Sequence, residues 1–214
     1  DPLRRQRQMC IRDRYKGRSI SVTSTGIGCP STAIAVEELA NIGAKTFVRM
    51  GTSGAMQDFT RVGDKVIATG AVRFEGTSVQ YMPIEFPAVA SHEMVTALVR
   101  SASDAKLNYH TGIVQSKDSF YGQHSPEDMP IAQELLQKWD AWVKGGVLCS
   151  EMEAATLFVV GSYRKLRTGA VLLVAGDQAK GESLTKEDYQ QNMTESINMI
   201  LEASLDIEEE SSNG

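Results

Sequence analysis

The five consecutive residues Ala170-Val171-Leu172-Leu173-Val174 limit most sharply what this chain can fold into. The run is apolar without alternation, short, and flanked by glycines at 169 and 176, so it reads as a strand rather than a helix. A strand with no polar side has to be covered on both faces, as in sheets sandwiched between helices. The segments around it agree with an α/β order. Strands are expected at 19–23, 45–50, 64–69 and 111–116. Helices are expected at 31–41, 91–103, 130–145, 150–163 and from 186 onward. Residues 19–50 read as one strand–helix–strand unit, which implies a parallel, right-handed crossover. The last helix is expected to bury Tyr189, Met193, Ile197, Ile200 and Leu201. One α/β domain over 15–205 is the resulting expectation. It is preceded by an arginine-rich segment, 1–14, read as disordered or foreign, and followed by an acidic tail, 206–214.

The stretch Lys45-Thr46-Phe47-Val48-Arg49-Met50-Gly51-Thr52-Ser53-Gly54-Ala55 reads as a strand running into a tight loop, with Arg49 at the strand's carboxyl end. Ligands of α/β sheets bind outside those ends. Small residues there let backbone N–H groups approach an anion, and arginine offers a planar fork to phosphate. An oxyanion site is therefore expected, although a surface arginine before an ordinary glycine turn would read the same way. Other strand ends carry Phe120 and Gln123, Glu151 and Glu153, and Asp177. Each has a plainer reading. Ser150-x-x-Glu153 is a capping box, Phe120 could be core, Gln123 a solvated amide and Asp177 a turn residue. His92, His110 and His124 are scattered, and no Ser/His/Asp triad suggests itself.

Composition removes several function classes. The 214 residues carry a formal charge of −5, with no basic stripe beyond the first eighteen, which argues against nucleic acid or anionic lipid as partner. No run is long and apolar enough for a membrane helix. Cys10, Cys29 and Cys149 show no metal-ligand spacing, so a reduced, cytoplasmic protein without a structural metal is expected.

Taken together, Ser24-Thr25-Gly26-Ile27-Gly28-Cys29-Pro30-Ser31, the Arg49–Gly54 loop and Ser150-Glu151-Met152-Glu153 resemble the nucleoside phosphorylase-I superfamily. Within it, Glu75-Gly76-Thr77-Ser78, Glu85-Phe86-Pro87-Ala88-Val89-Ala90 and Phe120-Tyr121-Gly122-Gln123-His124-Ser125-Pro126-Glu127 are similar to the uridine phosphorylases. The resemblance covers roughly 15–203, with the pieces in the family's order. It implies a three-layer sandwich around a central mixed, mostly parallel sheet. It also implies phosphorolysis of uridine to uracil and ribose 1-phosphate, with inorganic phosphate as co-substrate and no cofactor or metal, in a homo-hexamer or homodimer.

By the same resemblance, Arg49 and Thr52 hold phosphate, and Arg49 and Glu153 are the catalytic pair. Thr52, Met152 and Glu153 hold ribose. Ser53, Gly54, Phe120, Gln123, Glu151 and Asp177 surround the base. Two departures stand out. Ser125 occupies a position where some uridine phosphorylases have arginine. Asp177 lies where purine-specific relatives place an aspartate that protonates the base, which keeps a purine or broad-specificity phosphorylase open. A nucleosidase using water and a non-catalytic nucleoside-binding remnant also stay open. Asp1-Pro2-Leu3-Arg4 echoes the end of the family's Gly-Asp-Pro-x-Arg loop without its preceding strand, so a truncated or spurious amino-terminal junction is expected within 1–14.

Overall fold

The apolar run lies within a strand that is hydrogen-bonded on both edges, and the rest of the chain is arranged about it. The structure, a computed structural model, describes residues 10–212. In chain order these form β1 (Cys10–Tyr15), β2 (Arg18–Thr23), α1 (Cys29–Asn41), β3 (Thr46–Ala55), β4 (Lys65–Phe74), β5 (Ala88–Val89), α2 (His92–Asp104), β6 (Tyr109–Lys117), α3 (Tyr121–His124), α4 (Ala132–Lys144), β7 (Cys149–Glu151), α5 (Ala154–Arg164), β8 (Arg167–Asp177), β9 (Glu182–Ser183) and α6 (Lys186–Ser212).

The central sheet has the order β5-β4-β6-β7-β3-β8-β9. Its two long pairings are parallel: β3 with β8 from Thr46↔Arg167 onward, and β4 with β6 from Lys65↔Tyr109 onward. The shorter pairings β3–β7, β4–β5 and β8–β9 are antiparallel. β4 also pairs antiparallel with β8 at Lys65↔Leu173, Val66↔Leu172 and Ile67↔Val171. That contact closes β4, β6, β7, β3 and β8 into a ring. Residues 171–173 therefore have both edges filled, by β3 and by β4.

Alternation along β8 builds a core on each face. Ala170, Leu172 and Val174 pack with Val36 of α1 and Leu157, Phe158 and Val160 of α5. Val171 packs with Ile67, with Met94 and Leu98 of α2, and with Met199, Ala203 and Ile207 of α6. The result is helices, mixed sheet, helices, as expected of the α/β fold class. No described helix is long and apolar enough to cross a membrane.

Several local expectations are corrected. Residues 10–14, expected to lack order, form β1, which pairs antiparallel with β2. The turn between them has positive φ at Lys16 (45°) and Gly17 (84°), the backbone that closes a tight hairpin. β2 pairs with β1 and is not a member of the central sheet, so 19–50 is not a parallel crossover unit. β3 does not stop at Met50. It runs through Gly51-Thr52-Ser53-Gly54, because β8 offers ladder partners as far as Gly176, with a bulge at Ser53/Gly54. β4 likewise continues past the end expected at 69, to Phe74.

At the carboxyl end, helix α6 passes straight through the boundary expected at 206, with Ile207 buried. Its packed face is Ser196, Met199, Ala203 and Ile207, rather than the face centred on Ile197, which is 45% exposed. The small Ser196 and Ala203 let α2 and α6 approach, and Ser101 Oγ donates to Met199 O at 2.9 Å. Apolarity alone therefore misplaced that face by a fraction of a turn.

Phe158 has no exposed surface and sits between α5 and the sheet. Phe158→Ala should lower unfolding free energy by about 3–5 kcal/mol, read from urea titration with an unchanged m-value.

Candidate active site

Arg49 lies in mid-strand of β3, and its guanidinium folds back over Gly51. Residues two apart share a sheet face. A Cβ on Gly51 would stand 2.7 Å from Arg49 Cζ, so the glycine is what leaves room for the arginine to lie flat. Arg49 Nε donates to Glu151 Oε2 at 2.9 Å, and Nη2 pairs with Glu153 Oε2. Among the described residues, Nη1 has no acceptor.

Glu151 is wholly buried and fully engaged. Its carboxylate accepts the Glu153 N–H at 2.8 Å, the Ala154 N–H at 3.0 Å, the Ser116 hydroxyl and Arg49 Nε. It is Glu151, one residue inside the predicted helix start at 150, that caps α5. The Ser150-x-x-Glu153 capping box is not formed. Residues 149–151 are strand, and Glu153 is itself the first flanking residue of α5. With these partners the Glu151 carboxylate orients Arg49.

Glu153 turns across the cleft to accept the Gly28 N–H at 2.5 Å. Gly28 sits at φ 97°, a conformation that favours glycine, and this aims its N–H out of the Gly-rich turn. Burial pushes the Glu153 pKa up, the Arg49 charge and the Gly28 N–H pull it back, and the neighbouring Glu151 adds to the rise. The net direction is upward.

A second group of contacts in the cleft is built around Ser150, the residue before Glu151. Its Oγ meets the amide oxygens of Gln115 and Gln123, and it accepts from Lys117 Nζ at 2.6 Å. Gln123 is thus held by its neighbour rather than left as a solvated loop amide. Phe120 is not core. It is 49% exposed, with the His124 ring stacked against it at 4.0 Å.

Asp177, at the end of β8, is tied into a turn. Its carboxylate pairs with Lys180 Nζ at 2.7 Å and accepts the Lys180 N–H at 3.2 Å. Burial would raise its pKa, but these contacts outweigh burial and the net direction is down. Ser53 Oγ donates to Leu173 O at 3.3 Å. Thr52 is exposed, one residue out of phase with Arg49 and Gly51 along β3.

Arg49, Thr52, Ser53, Gly54, Phe120, Gln123, Glu151, Met152, Glu153 and Asp177 all line one cleft of about 1110 Å³. The sequence-predicted residues therefore come together. A family model described as the phosphorylase superfamily matches residues 6–206, a span that contains all of them. This chain belongs to the phosphorylase superfamily.

Among its relatives, the chain is 55% identical over 185 residues to a uridine phosphorylase of Treponema pallidum, covering 86% of this chain and 71% of that one. It is 48% identical over 174 residues to a uridine phosphorylase of Thermococcus kodakarensis, covering 79% of this chain and 62% of the relative, less than two thirds of its length. It is 41% identical over 196 residues to a guanosine phosphorylase of Halorubrum lacusprofundi, covering 88% and 77%.

The cleft also holds residues that sequence reasoning missed. Gly26 and Ile27 come from the Gly-rich turn, Tyr189 and Met193 from α6, and Lys117 from the end of β6. Leu135, Leu136 and Trp139 of α4 line an adjoining cavity of about 340 Å³, and α4 has no fully buried residue. Position at a strand end was the available signal for Lys117; its burial, 4% exposed, was not readable. Outside the cleft, Cys29, Glu75 and Asp118 bring donor atoms within 4.8 Å of one another. The Glu75 carboxylate already accepts from Thr77, Ser78 and Thr156, and burial pushes the Cys29 thiol pKa up. That is a poor donor set for a cation.

Gly51→Ala should displace the Arg49 guanidinium while leaving the strand intact. Isothermal titration with inorganic phosphate is expected to show about 10-fold or greater loss of affinity, the size of one charge-assisted hydrogen bond. Unchanged affinity would show that Arg49 does not need the room Gly51 provides.

Proposed function

We propose that this chain catalyses phosphorolysis of uridine, giving uracil and ribose 1-phosphate, with inorganic phosphate as the co-substrate. The observation that carries the reading is the convergence of Arg49, Thr52, Met152, Glu153, Phe120 and Gln123 on a single cleft. The resemblance to relatives named uridine phosphorylase supports it.

Phosphate takes the free Nη1 edge of Arg49, with Thr52 as a further donor. Glu153 accepts from ribose hydroxyls, and Met152 packs beneath the sugar. Phe120 stacks on the base, and Gln123 presents its amide to the pyrimidine edge, where one donor and one acceptor match. Ser53, Gly54 and Asp177 line the base end, and Glu151 holds Arg49. A phosphate oxygen attacks C1′ as the glycosidic bond breaks, through a transition state of oxocarbenium character. The carboxylates of Glu151 and Glu153 lie at the end where that positive charge develops. Nothing in the step as written calls for a metal or organic cofactor. The reading places the enzyme in the cytoplasm, as a homo-hexamer or homodimer.

The guanosine phosphorylase among the relatives favours a second reading, cleavage of purine nucleosides. It would require Asp177 to hold a proton for the base. The ion pair with Lys180 and the downward pKa work against that.

Base release from uridine and from inosine, each with and without phosphate, tests both readings. Phosphate-dependent uracil release is expected, whereas preference for inosine would overturn the assignment. Arg49→Ala should reduce kcat/KM for phosphate by about 10²–10³-fold, the range for removing one preorganised charge-stabilising donor, while uridine affinity changes far less. Equal loss of both would take Arg49 out of the phosphate role. Asp177→Asn should leave uridine turnover largely intact, because that carboxylate is a turn anchor paired with Lys180 and an amide of the same shape can still accept the Lys180 N–H; collapse of activity would promote it to a catalytic acid.

A further inference from the structure

We propose that Lys117 takes up the negative charge of the departing pyrimidine, donating from its ammonium to a carbonyl oxygen of the base as the glycosidic bond breaks. The inference rests on the phosphorolysis reading and deepens it.

Placement is what carries it. Lys117 is the last residue of β6 and is only 4% exposed. Its Nζ donates to Ser150 Oγ at 2.6 Å, and the same oxygen contacts the Gln123 amide. An ammonium has three N–H donors. Among the described residues Ser150 is its one hydrogen-bond acceptor, which leaves two donors for a ligand. Lys117 lines both the main cleft and the apolar cavity beside it. The other cation lining the cleft is Arg49, whose Nε and Nη2 are engaged by Glu151 and Glu153. Lys117 is therefore the positive charge beside Gln123.

The chemistry needs a charge there. As the phosphate oxygen bonds to C1′, the C1′–N1 bond breaks and its electron pair leaves on the base, spread over N1 and the carbonyl oxygens. A fixed cation in a water-poor site stabilises such a charge far better than the same cation would in water. The groups facing Lys117 are Glu151, Glu153, Cys149, His124 and Glu127. Burial lowers the Lys117 pKa to about 8, against the opposing pull of Glu151, Cys149 and Glu153. The group is thus cationic near neutral pH and loses its charge as pH rises through about 8.

The test compares uridine with 5-fluorouridine, whose base is the better leaving group, in the wild-type chain, Lys117→Met and Lys117→Gln. The lysine-free variants should lose about 10²-fold in kcat on uridine but less than about 10-fold on 5-fluorouridine, with the KM for phosphate little changed. The wild-type kcat/KM on uridine should fall above about pH 8, and that alkaline limb should vanish in the variants. Equal losses on the two substrates, or no loss, overturn the proposal and leave Lys117 a structural partner of Ser150. If Lys117→Met does not fold by circular dichroism, Lys117→Gln, which keeps a donor without the charge, carries the comparison. If the wild type does not turn over uridine, the phosphorolysis reading fails by itself, and calorimetry with 5-fluorouracil decides the role of Lys117. Tighter binding of the ionised base in the wild type, lost in Lys117→Gln, supports it; identical pH dependence in both overturns it.

Discussion

Everything in the cleft hangs on one buried ion cluster: the Arg49 guanidinium held between the carboxylates of Glu151 and Glu153. A buried charge is costly unless it is paired and hydrogen-bonded. Here each partner is anchored to a different part of the fold. Glu151 is bonded to the first turn of α5 and to Ser116 of β6, Glu153 to the turn before α1, and Arg49 to the middle of β3. The cluster therefore ties two strands and two helix starts together. It also sets two carboxylates against one guanidinium. Lys117 adds a positive charge next to Gln123.

The fold makes that arrangement possible through β8. With both its edges filled by β3 and β4, and both its faces covered, this strand is held rigidly at the centre. The ring it closes brings the far ends of β3, β6, β7 and β8 to one cleft, where Thr52, Lys117, Glu151 and Asp177 meet. A rigid scaffold with functional groups on its strand ends and the loops after them holds those groups without their own loops having to be stiff.

Much of this is legible in the amino-acid sequence. The unbroken apolar run at 170–174 implies a strand buried on both faces, and each of its residues has no exposed surface. The strand ends that carry unusual polar residues are the ones that converge. Partner choice among polar groups is not legible. Ser150-x-x-Glu153 has the spacing of a capping box, yet Glu151 makes the cap, because the chain is still extended at 151 and its carboxylate is the one that reaches the Glu153 and Ala154 N–H groups. The Gly51–Gly54 stretch has the composition of a turn, yet it is strand, because β8 supplies ladder partners along its whole length.

By itself, then, the sequence determined the class of fold and the set of residues from which the site is drawn, because hydrophobic periodicity and residue chemistry are local properties of the chain. Only the tertiary structure decided which glutamate holds Arg49, that Lys117 is buried beside Gln123, and that Asp177 is paired with Lys180. Those outcomes depend on contacts between residues far apart in the chain and on the desolvation that enclosure brings, and neither is written in any local pattern.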